Sequence, residues 1–298
     1  MTDEKITIEV ANDLLRVNIR ENYAQVANAS NEGACCGVEA SCCGVSDDQA
    51  INQLISTRLG YTVEELAAVP EGADMGLGCG NPKVIAALQP GEVVIDLGSG
   101  GGFDCFLAAN EVGESGKVIG VDMTPDMLSK ARANAERGRY AQVEFRLGEI
   151  ENLPVADNTA DVVMSNCVIN LSPHKPRVFE EIFRVLKPGG RIAVSDVVAT
   201  QPLPDEMKND PFLISACVGG AALIDDLEQW MQAAGFSQIV IEPKDESKEF
   251  IRDWAPNLSI EDYVVSAAIQ AVKPKSSSSL INMPVSFSIA SLSSGLSS

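Results

Sequence analysis

The sequence predicts an α/β fold with a doubly wound, mostly parallel sheet, a helical cap at the N-terminus and an α+β extension at the C-terminus. Three observations support this prediction. Strand-like and helix-like segments alternate from Pro90 onward, a pattern that produces parallel strands joined by right-handed crossovers. A glycine-rich turn, Gly98 to Gly102, follows the first of these strands. A second turn, Lys187 to Gly190, stops a helix and starts a later strand.

The N-terminal part is predicted to be largely helical. Residues 9–28 have the apolar spacing of a helix, and residues 48–58 look helical as well. Between them, residues 29–47 are small and polar, and we interpret them as a loop. Thr62 is followed three residues later by Glu65, which predicts a capping box at the start of a further helix.

The elements of the core are predicted from their apolar runs. The strand-like runs are 92–97, 117–122, 142–147, 160–166 and 190–198. The helix-like segments among them are 103–111, 125–137 and 175–187. In a sheet of this kind the ligand site lies at the carboxyl ends of the strands.

The alternation changes after residue 200. Residues 212–234 are predicted to be mostly helical, and 237–243 and 262–272 to be two strands that close the sheet as a hairpin. The Ser-rich segment 275–298 has no period, and we predict a disordered tail. We therefore divide the chain into a helical cap with a cysteine loop (1–75), a cofactor-binding core (76–200), a substrate-binding and sheet-closing region (201–274) and the tail (275–298).

The composition argues against several classes of partner. The chain has 42 acidic and 22 basic residues, a formal net charge of −20, and such a surface repels nucleic acid and anionic membranes. It has no apolar run of about 18 residues that could span a membrane, and its charged first residues do not resemble a signal peptide. We expect a cytoplasmic protein, and, since no interface signal is visible, a monomer.

The glycine-rich turn is predicted to bind a nucleotide-type cofactor. Gly98 and Gly100 let the backbone turn sharply and bring its N–H groups close to a ligand. Asp122, after the second strand, can accept hydrogen bonds from both ribose hydroxyls of an adenosine. Asp96, just before the turn, would repel a pyrophosphate but attract a sulfonium and an ammonium group. This favours S-adenosylmethionine over NAD and predicts the Rossmann-like fold of a class I S-adenosylmethionine methyltransferase.

Four further residues are candidate cofactor contacts. Glu149 and Ile150 follow the third strand, where adenine contacts are expected. Met123 follows directly after the ribose-binding acid, and Asn166 ends the fourth strand. All four therefore lie at the edge of the sheet where the cofactor is expected.

Three of the eight cysteines are favoured as ligands over packing residues. Cys79 stands between two glycines, whose lack of side chains could let a large atom approach. Cys167 follows the fourth strand, and Cys217 lies among small residues. Their wide separation along the chain indicates an assembled cup of thiolates rather than a local zinc knuckle. Three soft donors suit a thiophilic centre that carries a lone pair, such as trivalent arsenic.

The other cysteines have different interpretations. Cys105, on a helix face, is interpreted as a small packing residue. The pairs Cys35/Cys36 and Cys42/Cys43 lie in the predicted loop. They could relay a metalloid, form disulfides with the site, or be surface thiols.

Several stretches resemble the arsenite S-adenosylmethionine methyltransferases, most closely the prokaryotic type. They include LGCGNP at 77–82, VIDLGSGGGFDC at 94–105, SNCVINL at 165–171 and CVGGA at 217–221. The glycine-rich turn is common to many S-adenosylmethionine enzymes, whereas the cysteine-containing stretches are far more specific. The resemblance implies that Cys79, Cys167 and Cys217 are the arsenic ligands and that a fourth functional cysteine lies among the loop pairs.

The resemblance also implies a reaction, the transfer of methyl groups from S-adenosylmethionine to trivalent arsenic for detoxification. Arsenite would arrive as a thiol adduct, for example with glutathione, and a thiol reductant such as thioredoxin would be needed. The arsenic lone pair carries no proton, so no general base is required of a chain with one histidine, His174. Two alternatives stay open: methylation of a small organic metabolite, which predicts no thiol dependence, and metalloid sequestration, which predicts no cofactor binding.

Overall fold

A computed structural model describes residues 3–28 and 48–275 of the chain. The helices are α1 (Asp3–Asn28), α2 (Asp48–Arg58), α3 (Val63–Ala67), α4 (Pro82–Ala86), α5 (Phe103–Val112), α6 (Pro125–Gly138), α7 (Lys175–Val185), α8 (Asp205–Lys208), α9 (Pro211–Ser215), α10 (Ile224–Ala234) and α11 (Lys248–Ile251). The strands are β1 (Val93–Leu97), β2 (Lys117–Asp122), β3 (Val143–Leu147), β4 (Ala160–Asn166), β5 (Leu186–Ala199), β6 (Ala222–Leu223), β7 (Ser237–Lys244) and β8 (Val264–Val272). The predicted loop at 29–47 and all but the first residue of the predicted tail lie outside the described residues.

The strands form one mixed sheet in the order β3-β2-β1-β4-β5-β8-β7, and β6 pairs with the end of β5. Strands β1 to β5 are parallel, whereas β8 runs antiparallel to both β5 and β7. The strand order reverses direction at β1, so the crevice for a ligand lies beyond the carboxyl ends of β1 and β4. The predicted doubly wound sheet is therefore present.

Helices cover both faces of the sheet, because successive strand residues point to opposite sides. In β1, Val94 packs on one side in a cluster with Phe106 of α5. Its neighbour Ile95 packs on the other side in a cluster with Phe179 of α7. All four side chains are fully buried. This two-sided core holds the strand ends in place.

The local signals agree closely with the structure. The predicted strands at 117–122 and 160–166 have the observed bounds, and the helix at 48–58 does as well. Thr62 accepts a hydrogen bond from the N–H of Glu65, and the Glu65 carboxylate accepts one from the N–H of Thr62. The capping box is therefore confirmed.

The turn predicted at 187–190 is wrong, because these residues form a bulge within a strand and not a turn between a helix and a strand. The α7 helix ends at Val185, and the next residue, Leu186, already pairs with Ala160 of β4. Residues 187–190 then bulge out of the ladder between β4 and β5. Pairing with β4 resumes at Arg191. Pro188 has no N–H for the ladder, and Gly189 has a positive φ of 87°, so the segment forms a bulge inside a strand.

The predicted helix over 212–234 is interrupted. The chain ends α9 at Ser215, passes through a loop and forms β6 before α10 begins at Ile224. Gly219 and Gly220 disfavour a continuous helix, and β6 gains a parallel pairing with β5. The interruption matters because the loop carries Cys217.

The N-terminal helix α1 lies against the loops at the carboxyl edge of the sheet. Ile19 is 1% exposed and packs in the cluster that contains Cys79, Cys167 and Cys217. Arg16 forms an ion pair with Glu151, which follows β3. Neither α1 nor any other described helix is long and apolar enough to cross a membrane.

Candidate active site

Three distant cysteines meet in one buried cluster, which we call the cysteine trio (Cys79, Cys167 and Cys217). Cys79 precedes α4, Cys167 follows β4 directly, and Cys217 lies in the loop after α9. Their side chains are 2%, 8% and 3% exposed. The structure therefore brings together the three residues that the sequence proposed as ligands.

Cys167 is the central member of the trio. Its sulfur, the sulfur of Cys79 and a carboxylate oxygen of Asp196 all lie within 4.8 Å of one another. On its other side, the thiol of Cys217 donates a hydrogen bond to the carbonyl oxygen of Cys167 at 2.6 Å. Asp196, which was not among the predicted site residues, is thus a direct neighbour of two thiols.

Two of these cysteines have an unfavourable backbone conformation. Cys167 has a φ of 59° and Cys217 a φ of 62°. The left-handed region costs an L-residue roughly 1–2 kcal/mol and favours glycine. Strained residues of this kind cluster at functional sites. Cysteine at two such positions therefore supports a role for the thiols over simple packing.

The surroundings raise the pKa of two of these thiols, those of Cys167 and Cys217. Hydrogen bonds with the thiols of Cys217 and Cys79, together with burial, raise the pKa of Cys167 well above its ordinary value. The adjacent Cys167 lowers the pKa of Cys217, but burial and the nearby Asp196 outweigh it, so the pKa of Cys217 is raised. A ligand that binds the sulfur of Cys167 or Cys217 must therefore replace a thiol proton.

Asn166 links the Cys79 loop to the end of β4. Its Oδ1 accepts a hydrogen bond from the N–H of Cys79 at 3.0 Å, and its Nδ2 donates to the carbonyl of Gly80 at 2.9 Å. A Cβ on Gly78 would lie 2.7 Å from the Asn166 amide. The missing side chains of the two glycines make room for Asn166 beside Gly78 and for Ser195 beside Gly80, and the approach of a large atom to Cys79 stays a prediction.

A buried polar network supports Asn166 from behind. Tyr61 donates to Asp104 at 2.6 Å, and Asn166 donates to the other oxygen of Asp104 at 3.2 Å. Burial raises the pKa of Asp104 to about 6, although both hydrogen bonds act in the opposite direction. Neither Tyr61 nor Asp104 was among the predicted site residues.

The glycine-rich turn is suited to bind the adenosyl cofactor. Gly98 and Gly100 have positive φ values of 70° and 50°. Asp122 accepts a hydrogen bond from the N–H of Gly100 at 2.9 Å and another from Thr124 at 2.8 Å, and its carboxylate keeps further lone pairs for ribose hydroxyls. No described residue hydrogen-bonds the buried hydroxyl of Ser99. An unpartnered hydroxyl in such a turn fits a polar ligand.

The carboxyl of Asp96 lies beneath this turn rather than at its rim. It is 2% exposed and accepts a hydrogen bond from the thiol of Cys105 at 3.2 Å. Burial and the charge of Asp104 raise the pKa of Asp96 well above its ordinary value. The attraction of Asp96 for a sulfonium remains a prediction. Cys105, which was interpreted as a packing residue, also donates a hydrogen bond to Asp96.

The other candidate cofactor contacts have different surroundings. Glu149 forms ion pairs with Arg16 at 3.7 Å and Arg20 at 3.4 Å, both on α1. Ile150 is buried in the core, and Met123 packs against the cluster that contains the cysteine trio. Their roles toward adenosine remain predictions.

Sequence reasoning missed Asp196 and Asn170 as site residues, although Asn170 lies in the quoted stretch SNCVINL at 165–171. Asn170 is three residues after Cys167, and Asp196 is the last residue of the run Val194-Ser195-Asp196 in β5. The signal available was a polar residue at a position where the surrounding apolar pattern predicts burial. Only the fold shows that the two side chains meet, at 2.9 Å.

Comparison with known proteins places this site in a family. A methyltransferase-domain model matches residues 88–235. An arsenite methyltransferase of Halobacterium salinarum is 53% identical over 266 residues, 87% of this chain and 66% of that protein. One from Aquipseudomonas alcaligenes is 47% identical over 56% of this chain and 50% of that protein. The chain thus spans less than two thirds of these curated relatives.

A match to a solved structure covers a larger share of the other protein. The arsenic(III) S-adenosylmethionine methyltransferase of Chlamydomonas reinhardtii is 33% identical, with a TM-score of 0.54, over 74% of this chain and 73% of that one. The sheet order, the turn and the domain match define a class I S-adenosylmethionine-dependent methyltransferase. Within this class, the chain belongs to the arsenite S-adenosylmethionine methyltransferases. The predicted fold class and the resemblance are both confirmed.

Proposed function

We propose that this chain transfers methyl groups from S-adenosylmethionine to trivalent arsenic held by the thiolates of the cysteine trio. The observation that carries the proposal is the closeness of the three cysteines: the sulfurs of Cys79 and Cys167 lie within 4.8 Å of each other, and the thiol of Cys217 donates a hydrogen bond to the Cys167 carbonyl. Val168, the residue after Cys167, fills the space next to Gly98 of that turn. The arsenic ligand and the cofactor cradle are therefore parts of one continuous surface.

Arsenic enters this site by ligand exchange. An arsenic tris-thiol adduct accepts three sulfurs from the protein and releases three small-molecule thiols. Each cysteine proton passes to one departing sulfur, so the exchange balances without net proton release. This suits thiols whose pKa is raised by burial and by their mutual contacts, since no free thiolate has to form in advance.

The protein then contributes mainly orientation and exclusion of water. Gly100, Ser99 and Asp122 would hold the cofactor, which supplies an electrophilic methyl group to the arsenic lone pair when it is bound. Ile19 of α1 covers the cysteine trio and keeps water from the reacting centre. Fixed geometry in a dry site lowers the barrier without a general base.

The partners and compartment are part of the same proposal. The substrate is a thiol adduct of arsenite. Methylation through the lone pair raises arsenic from the trivalent to the pentavalent level, and two cysteine thiolates return the two electrons by leaving as a disulfide, which a thiol reductant such as thioredoxin reduces. The described cysteines are all free thiols, which supports a reducing, cytoplasmic location. The net charge of −20 speaks against nucleic acid or anionic membranes as partners. We propose a monomer, and a relay or redox role for Cys35, Cys36, Cys42 and Cys43.

Replacement of Cys167 by serine tests the proposal. Incubation with arsenite, glutathione and methyl-labelled S-adenosylmethionine should transfer label to arsenic with the wild type. Cys167→Ser should lose at least about 100-fold of this rate, because an oxygen cannot replace the soft ligand, yet still bind the cofactor. Cys105→Ser removes a buried thiol outside the trio and should still bind arsenite. Normal arsenic methylation by Cys167→Ser would refute the assignment.

A further inference from the structure

We infer that Asn170 holds the Cys167 and Cys217 segments together while arsenic is bound. Asn170 would thus be a positioning residue that acts through the two cysteines rather than on the substrate. The inference rests on the proposed function, because it concerns the arsenic-bound state. Asn170 lies in the 3-10 helix Ile169–Leu171, directly after the Cys167 turn, and is 4% exposed.

The side chain of Asn170 joins three segments of the chain. Its Nδ2 lies 2.9 Å from Asp196 Oδ1, 2.6 Å from the carbonyl of Val197 and 3.2 Å from the carbonyl of Cys217, so its two hydrogens are shared among three acceptors. The second oxygen of Asp196 accepts a hydrogen bond from the N–H of Ile169 at 3.0 Å. The end of β5 therefore anchors Asn170, and Asn170 in turn holds the loop of Cys217.

The main chain of Asn170 makes a second contact with that loop. A Cβ built on Gly220 would collide with the carbonyl oxygen of Asn170. The φ of Gly220 is not positive, so its backbone conformation does not require glycine. The lack of a side chain at 220 is what lets the Cys217 loop come this close.

The importance of these contacts follows from the chemistry of ligation. In the free protein, the thiol of Cys217 also donates to the carbonyl of Cys167, but this bond needs the thiol proton. When Cys217 binds arsenic, its proton goes to the departing thiol and the bond is lost. The contact from Asn170 reaches the carbonyl of Cys217 and involves neither sulfur, so ligation leaves it intact.

Backbone strain makes such a contact necessary. Both cysteines have a left-handed conformation, which persists only when surrounding contacts enforce it. Without Asn170, only the hydrogen bonds within the loop, such as that from the N–H of Cys217 to the carbonyl of Ile214, would oppose relaxation of this residue once the thiol hydrogen bond is broken. The third sulfur would then no longer be held in position for arsenic.

Asn170→Ala tests the inference, with Asn134→Ala as the matched control. Asn134 is also a buried amide at 1% exposure, but it donates to Gly101 in the cofactor turn at 2.9 Å. We expect the arsenite dissociation constant and KM of Asn170→Ala to rise at least about 10-fold, with the dissociation constant for S-adenosylmethionine within twofold of the wild type. Asn134→Ala should raise the dissociation constant for S-adenosylmethionine and leave that for arsenite near the wild-type value.

Two outcomes would overturn the inference: unchanged arsenite affinity in Asn170→Ala, or equal loss of arsenite and cofactor affinity. If Asn170→Ala does not fold, Asn170→Leu replaces it, since leucine has a similar branched shape but donates no hydrogen bond to the carbonyl of Cys217, and it should show the same selective loss. Wild-type protein that binds arsenite without methylating it would contradict the proposed function, while the binding comparison would still test Asn170.

Discussion

At the scale of the residue, the cysteine trio shows how far a site can depart from what is best for stability. Cys167 and Cys217 are buried and have positive φ values, where glycine costs least. Cys105 is equally buried but lies in α5, where the backbone is regular. The same residue type therefore has opposite conformational preferences at these positions.

Substitutions that remove the thiols should reveal this difference. We expect Cys217→Gly to be about 1 kcal/mol more stable than Cys217→Ala, because alanine cannot relieve the left-handed conformation. The order should reverse at Cys105, where glycine costs about 1 kcal/mol relative to alanine in a helix. Urea denaturation of the four variants provides the measurement. The same order at both positions would contradict the strain assigned to Cys217.

At the scale of the element, α1 acts as the cover of the site. It reaches the start of α6, where Asn28 donates to Asp126 at 2.6 Å, and the loop after β3, where Arg16 pairs with Glu151. Ile19 is its most deeply buried described side chain and packs in the cluster with the cysteine trio. The side chains of the Arg16–Glu151 pair are only 15% and 6% exposed, so the cost of removing their charges from water offsets much of their attraction, and the apolar contact of Ile19 should dominate the docking of α1.

Loss of this contact should open the site. Ile19→Ala should weaken the docking of α1 by about 2–4 kcal/mol, the usual cost of truncating a buried side chain. Amide exchange in α1 should accelerate, and the trio should react faster with a thiol reagent. Val17→Ala is the control on the same helix, since Val17 is 41% exposed. Equal exchange rates in the two variants would show that Ile19 does not hold the cover.

At the scale of the whole molecule, the dominant feature is the excess of acidic residues. With 42 acidic against 22 basic residues, the folded chain concentrates negative charge, and this self-repulsion destabilises a compact state. The ion pairs on the surface, such as Lys117 with Glu144 at 2.7 Å, offset only a part of it. Stability should therefore depend on the ionic strength of the solution.

Added salt should stabilise this protein. Raising potassium chloride from low concentration toward 1 M shortens the Debye length from about 30 Å at 0.01 M to about 3 Å, so the repulsion is screened. We expect Tm to rise steadily over this range in a thermal melt. Sucrose, which stabilises without screening charge, serves as the comparison and should not reproduce the steep initial rise. A Tm that is independent of chloride would contradict the electrostatic explanation.

Prediction from the sequence succeeded where neighbours along the chain carry the information. The strands at 117–122 and 160–166 follow from apolar runs, and the capping box at Thr62 follows from two residues three apart. It failed where distant segments compete for the same backbone. The turn expected at 187–190 became a bulge because β4 pairs on both sides of it.

The residues of the site likewise fall into those that the local sequence could predict and those that only the fold reveals. The turn, the acid Asp122 and the cysteine trio could be predicted because each is marked by its residue type and its place at the end of an element. The roles of Asp196 and Asn170 could not, since their side chains contact residues up to 47 positions away. The ion pairs of Glu149 with α1 were equally invisible in the sequence.

The amino-acid sequence alone determined the class of fold and the cofactor and proposed the three sulfurs as ligands, because periodicity and residue chemistry are local properties. Tertiary structure alone decided which groups surround those sulfurs and how the backbone carries them. Asp196 beside Cys79 and Cys167, the left-handed cysteines and the cover formed by α1 all result from packing between segments far apart in the chain. Their geometry exists only once the sheet has assembled, because the sheet sets the distances between its strand ends.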